Sequence, residues 1–436
     1  MTRAATATVG ERCPQCSTAT VAAAGSDVPW CPGCEFGLDT YDPSTAPWRG
    51  TRWLSRWGYR RAFHLDDELR SQLVVDPSSA ALRRSGETAL MAVSALITIV
   101  SLACFVGVVL VWSRTDWVPP AKFFASVGLV LLGIWTRPRF GRLPRSLKKV
   151  PADQAPALRG LIREVASAVG TSEPDVLVLL ADEVNMAVTR VGVRGRSVLV
   201  IGIPLWLLLT PEMRVAVLAH ELGHLNNRDP LRATLTRPAT AIFASAVDWT
   251  GGHNPWRRLG DRLDRADDDS FATMLFRLLL AAVNTIFASV QLAIDAVAAP
   301  DHRRAEYAAD LASREAAGST ATIAALDRLT FLDDLVKALV HDVVTKAPTD
   351  WVTLAERRQA ALQDQLLVRR QASRRGSDLW ATHPPNGCRA ALIEALPVVP
   401  GTVPVDPEHG ARVDAELRHW YASTHREILG ARDFLG

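Results

Sequence analysis

Residues 89–112 contain no charged side chain and are bounded by Glu87 and Arg114, and this run limits what the chain can fold into more than any other feature. As a helix it would cover roughly 35 Å, enough to cross a hydrocarbon core of about 30 Å. A transmembrane helix is therefore expected. A secretory signal is the competing reading, but such a segment starts near the N-terminus and has a shorter apolar stretch, whereas this run follows a long polar, cysteine-bearing region. A second apolar run, 123–135, reaches spanning length only with 117–121 and a snorkelling Lys122. Between the two, residues 113–120 hold Arg114, Asp116, Pro119 and Pro120 and suit the tip of a helical hairpin. Arg60, Arg61, Arg70, Arg83 and Arg84 precede the hairpin, and Arg137, Arg139, Arg142, Arg145, Lys148 and Lys149 follow it. Basic flanks stay in the cytoplasm, so a multi-pass protein of the cell membrane is expected, with its N-terminal region and the chain after Lys149 on the cytoplasmic side.

The 436 residues leave room for a large core and smaller modules. With 48% hydrophobic residues, 22% charged residues and a net charge of +3, the chain is too apolar for disorder and too weakly basic for a dedicated nucleic-acid binder. Residues 1–48 carry Cys13-Pro-Gln-Cys16 and Cys31-Pro-Gly-Cys34, the spacing of a zinc ribbon, in which two tight turns complete a four-thiolate site. Four thiolates leave no open position, so that zinc ion would be structural. Two disulfides are the alternative, disfavoured in a reducing compartment. No Lys or Arg lies between Cys13 and Cys34, so contact with protein or autoregulation is expected rather than nucleic-acid binding. Residues 49–88, with Arg49, Trp53, Arg56, Trp57, Arg60 and Arg61, read either as an amphipathic juxtamembrane helix against anionic headgroups or as a solvated linker.

From Pro151 the pattern is that of a mixed globular domain extending to 399. A helix is expected over 155–169, a strand over Val176–Leu180, and a hairpin of strands 186–193 and 197–201 around Arg194-Gly195-Arg196. Thr210-Pro211-Glu212 then reads as the cap and first turn of a helix with Val215, Leu218, Leu222 and Leu225 on one face. That helix contains His220-Glu221-Leu222-Gly223-His224. Residues four apart share a helix face, so both imidazoles can reach one metal ion, while Glu221 faces the same cleft as a base toward water. The apolar runs 239–247 and 275–299, separated by the charged stretch 257–269, are further membrane crossings or helices buried in protein. Residues 400–436 form a tail without a legible motif.

These residues, with Glu306 and Asp310 on a later helix, resemble the HtpX-like and CAAX prenyl protease-type integral-membrane metallopeptidases, whose signature joins His-Glu-x-x-His to a later Glu-x-x-x-Asp. The resemblance implies that Glu306 is the third zinc ligand and that Asp310 orients a ligating histidine. The alternative is that both are solvated charges paired with Arg303 or Arg314. The resemblance extends to Thr382-His383-Pro384-Pro385-Asn386-Gly387-Cys388-Arg389, which makes His383 a candidate oxyanion stabiliser and gives Arg389 the task of positioning it or binding a substrate carbonyl. Asn185 and Ala187 match more loosely a segment of the edge strand that pairs with an extended substrate. The expected architecture is mainly α with a small β-sheet: a zinc ribbon, a membrane hairpin at 89–136 and a zincin-like metallopeptidase domain at 151–399. The expected function is zinc-dependent hydrolysis of polypeptides at a lipid bilayer, in membrane-protein quality control. A catalytically inactive, membrane-anchored regulatory protein is the alternative.

Overall fold

A computed structural model of the chain describes residues 5–431, apart from 7–11, 24–25, 46–51, 82–84, 115, 138–141, 145–146, 148, 152, 193, 227–270 and 346–349. The expected hairpin and the preceding strand build one three-stranded sheet, in which β3 (Val176–Leu180), β4 (Met186–Val191) and β5 (Arg196–Gly202) lie in the order β3-β5-β4. The central β5 runs parallel to β3 and antiparallel to β4. Gly192 and Gly195 take the positive φ that the tight turn between β4 and β5 requires. β4 is left as an edge. Leu177, Leu179, Leu199 and Ile201 bury one face of the sheet in the main core, while Val176, Val178 and Val198 pack on the other against Leu143 and Leu147.

Helix α4 (Pro156–Ala168) precedes the sheet, and α5 (Ile203–Leu207) and α6 (Pro211–Asn226) follow it. The Thr210 hydroxyl accepts the Met213 N–H at 3.4 Å, and Val215, Leu218, Leu222 and Leu225 are buried as the periodicity predicts. Across α6 lies α7 (Phe271–Ala317), which contains Pro300 and continues the apolar stretch 275–299 directly into the segment bearing Glu306 and Asp310. The helices meet at Gly223, between the two histidines. A Cβ there would come within 3.3 Å of Ala309 Cα and Ala312 Cβ, and the Ser313 hydroxyl donates to the Ala216 carbonyl at 2.8 Å. A small residue at the crossing thus brings the histidine helix against the glutamate helix. The run 239–247 lies outside the described residues.

Helices α8 (Ser319–Thr330), α9 (Leu332–Thr345), α10 (Trp351–Ala361), α11 (Leu366–Arg375), α12 (Asn386–Ala395) and α13 (Pro407–Ala431) complete the domain. The last of these overlaps the stretch read as a tail. Val413 and Leu417 enter the main core, Asp414 pairs with buried Arg214 at 2.8 Å, and the Glu416 carboxylate accepts the Ala157 and Leu158 N–H groups that open α4. A carboxylate on those unpaired amides satisfies the start of a helix whose first residue is Pro156.

Residues 52–75 are a helix, α1 (Arg52–Val75), but its apolar face is covered by protein. Ala62, Leu65, Leu69 and Leu73 pack with Ala299, Tyr307, Leu392 and Leu396, and Asp66 forms a buried ion pair with Arg303 at 2.5 Å. The ribbon contains a two-residue pair, β1 (Ala5–Thr6) with β2 (Ala22–Ala23), and sits on α11. Its buried Trp30 donates to the Gln371 amide oxygen at 3.0 Å, and Gln371 donates back to the Pro32 carbonyl. Helices α2 (Ser85–Arg114) and α3 (Pro119–Thr136) form the expected hairpin, joined by the Ser101 hydroxyl on the Gly133 carbonyl at 2.9 Å. Among the described residues they are the two helices long and apolar enough to cross a membrane. Leu96, Leu102, Val109, Phe124 and Leu131 stand exposed along them, a surface suited to lipid.

Candidate metal and catalytic centre

His220 and His224 stand one turn apart on α6 with ring centroids 5.0 Å apart and planes nearly perpendicular. Glu306 reaches across from α7, one oxygen 3.5 Å from His220 Nε2 and the other 3.5 Å from His224 Nε2. Zinc bonded at about 2.0–2.2 Å to nitrogen and oxygen sets neighbouring tetrahedral ligands roughly 3.3–3.5 Å apart. The two contacts run to different oxygens of Glu306, and one ligand atom from each of the three residues lies within 4.8 Å of the others, close enough for a shared ion. Three carboxylates, Glu221, Glu306 and Asp310, gather around the Arg389 guanidinium, a charge balance that a divalent cation completes. Burial opposes ionisation of Glu306, but His220 and His383 outweigh it and hold the carboxyl well below its usual range. For His220, burial and Arg389 oppose protonation, while Asp310 and Glu306 outweigh them and hold the imidazole up to about 9.

Asp310 lies one turn beyond Glu306, 1% exposed, and accepts from His220 Nδ1 at 3.0 Å. Neither carboxylate is solvated, and neither pairs with Arg303 or Arg314. Arg389, on α12, clasps Asp310 through Nε and Nη2 at 2.9 and 2.6 Å. Its direction corrects the sequence-based expectation. At 5% exposure it points inward to Asp310 and the His220 ring, has Asn386 as a further partner, and makes no hydrogen bond to His383. Its position is set by the pairing of a buried guanidinium with a buried carboxylate. His383, with a side chain 48% exposed, comes to the same cluster from the loop before α12, its Nδ1 2.5 Å from Glu306.

Glu221 accepts the Val188 backbone N–H at 3.2 Å, which ties it to edge strand β4. This contact also fixes which main-chain groups of that strand face away from β5. The Asn185 carbonyl accepts from Gly202 N–H, and Ala187 sits opposite Val200, so the backbones of 185, 187 and 189 face β5. Met186 and Val188 face outward. The edge expected at Asn185 and Ala187 therefore shifts by one residue, and the Asn185 side chain is turned back onto the Met186 N–H at 2.9 Å. The alternation of strand hydrogen bonds was the signal available for Val188, but reading it requires the register of the β4–β5 pair.

The four cysteine sulfurs form a second cluster, with Cys13 and Cys34 Sγ 3.5 Å apart and Cys16 and Cys31 Sγ 3.3 Å apart, and all four cysteines are free. The two turns repeat one geometry. Ser17 N–H donates to the Cys13 carbonyl and Glu35 N–H to the Cys31 carbonyl, and Ser17 and Glu35 both have positive φ. Zinc–thiolate bonds of about 2.3 Å would space tetrahedral sulfurs roughly 3.8 Å apart, within half an ångström of these separations.

The model of peptidase family M48 matches residues 152–396, more than half of the chain. A protein described as a protease HtpX homolog from Desulfatibacillum aliphaticivorans is 27% identical over 294 residues, covering 66% of this chain and 84% of that protein. Another protease HtpX homolog, from Aquifex aeolicus (strain VF5), is 28% identical over 181 residues, covering 41% of this chain and 56% of that protein. No solved structure matches. The ribbon, α1, the membrane hairpin and α13 lie outside the matched segment.

Proposed function

This chain belongs to peptidase family M48, and on that footing we propose that it is a membrane-embedded zinc endopeptidase whose catalytic ion is held by His220, His224 and Glu306. Bound there, zinc supplies Lewis acidity toward a scissile carbonyl and toward water. Glu221 takes the proton of the attacking water and returns it to the leaving amine. Asp310 holds His220 in one tautomer through Nδ1–H, and Arg389 fixes Asp310 and offsets its charge. His383, half-exposed beside Glu306, donates to the charge developing on the carbonyl oxygen. An extended substrate segment adds to the outer edge of β4 through Met186 and Val188, whose N–H groups are meanwhile held by the Asn185 side chain and Glu221. In doing so it exchanges a substrate carbonyl for Glu221 on the Val188 N–H and frees the base.

A second zinc ion on Cys13, Cys16, Cys31 and Cys34 is structural. The catalytic unit extends beyond 151–399 to include α1 and α13, whose buried contacts tie them to α7 and α4. The basic flanks of the hairpin support a cytoplasmic position for this unit, with segments of misfolded membrane proteins as its substrates. A reporter fused after Lys149 should stay untranslocated, and its export would contradict this orientation.

The observation that carries the reading is the convergence of two imidazoles and one buried carboxylate, their ligand atoms within 4.8 Å of one another, with Asp310 behind His220. Glu221→Gln tests it. The variant should keep its zinc and lose about 10²–10⁴-fold in casein cleavage. Cleavage at the wild-type rate would show that another group is the base.

A further inference from the structure

A cavity of about 770 Å³ lies away from the metal cluster, where the end of the ribbon meets the first turns of α1. Asp39 and Tyr41 border it on the ribbon side, and Arg52, Arg56, Arg60 and His64 on the helix side. α1 turns Ala62, Leu65 and Leu69 inward against α7 and α12, which leaves Arg52, Arg56 and Arg60 exposed on its other side. The three guanidiniums recur every four residues, so each lies beside the next on the helix surface.

Like charges at that spacing repel, and α1 does nothing to offset them: no acidic residue stands three or four positions from any of the three. Among the described residues none of them has a hydrogen-bond or ion-pair partner, whereas Arg70 further along α1 pairs with Asp67. Asp39 across the cavity balances one charge. Three arginines against one aspartate leave an excess of two positive charges around the space. A merely solvated basic face needs no concavity, yet this one encloses about 770 Å³, within the roughly 300–1,000 Å³ of small-molecule sites.

We propose that this cavity binds a ligand carrying two phosphate groups close together. The planar guanidinium fork matches phosphate oxygens and takes them two at a time. Arg52 and Arg60 are about 12 Å apart along the helix axis, a span that their long side chains close toward Arg56 in the middle. Two phosphates so held cancel the excess charge and relieve the repulsion along α1. Trp53, also on the cavity wall and 72% exposed, offers a flat apolar face to the rest of the ligand. Such phosphates have two sources, a soluble diphosphate or a lipid headgroup, the second because α1 ends at Val75 and the first helix of the hairpin opens at Ser85. The site uses no residue of the metal cluster and stands apart from the peptidase reading.

The test takes full-length protein through two arms. In phosphatidylcholine nanodiscs, pyrophosphate is titrated by calorimetry. In uncharged detergent, native mass spectrometry compares retention of cardiolipin, whose headgroup carries two phosphates, with that of phosphatidylcholine. Wild type should bind pyrophosphate, or retain cardiolipin over phosphatidylcholine, and added salt should weaken the binding. The arm that responds identifies the source. Arg56→Gln removes the central charge and should weaken that binding about tenfold or more. Its melting temperature should hold or rise, because Arg52 and Arg60 each lose a repelling neighbour, an outcome that a structural role for Arg56 would reverse. If Arg56→Gln fails to fold, Arg52→Gln at the helix end decides instead. Binding in neither arm, or equal binding by wild type and the folded variant, would overturn the proposal.

Discussion

The thiol cluster and the His220–His224–Glu306 cluster each gather their donor atoms within 4.8 Å, yet their surroundings suit them to different work. The thiols come from two copies of one short turn within a few tens of residues, and four of them fill a tetrahedron. The histidines and Glu306 come from two long helices held together at Gly223, and three donors leave a position open beside a cavity. Behind the thiols stand backbone amides, such as Gln15 N–H on Cys13 Sγ at 3.4 Å. Behind His220 stands a buried carboxylate–guanidinium pair whose partners are far apart in sequence. A closed site can thus be built locally, whereas an open one needs the tertiary fold to orient it.

Two substitutions would break or sharpen this contrast. Cys31→Ser should have the larger effect, because it removes one of the four thiolates that close the site. The ribbon should lose its zinc and the protein its ribbon-dependent stability, seen as a lower melting temperature, while the histidine site still binds metal. Loss of zinc from both sites in this variant would show that they are not independent. Asp310→Asn should act more mildly and only on the histidine side. Zinc affinity there should fall about 10–100-fold in competition with a chelator, with the thiol site unchanged. An unchanged affinity would remove Asp310 from the account.

The same contrast explains what could be read from the sequence. His220, Glu221, His224 and the two cysteine pairs were legible because helix period and turn geometry place such residues together locally. The membrane hairpin was legible from two apolar runs of sufficient length. Glu306 and Asp310 needed a known signature, since nothing in the chain alone says that α7 crosses α6. Helix α13 was missed because its evidence is long-range: Glu416 caps a helix that begins at Pro156. The apolar face of α1 shows in its periodicity, but periodicity cannot say whether lipid or protein covers it, and here Tyr307, Leu392 and Leu396 do. Arg389 was found and its direction was not, because the buried partner that turns it inward, Asp310, lies on another helix.

Metal content of the purified full-length protein tests the central assignment most directly. Wild type should carry about two zinc ions per chain, and a His220→Ala, His224→Ala double variant that still folds should carry about one, retained on the cysteines. If that folded variant kept both ions, the histidines would not hold metal and the hydrolytic account would be wrong.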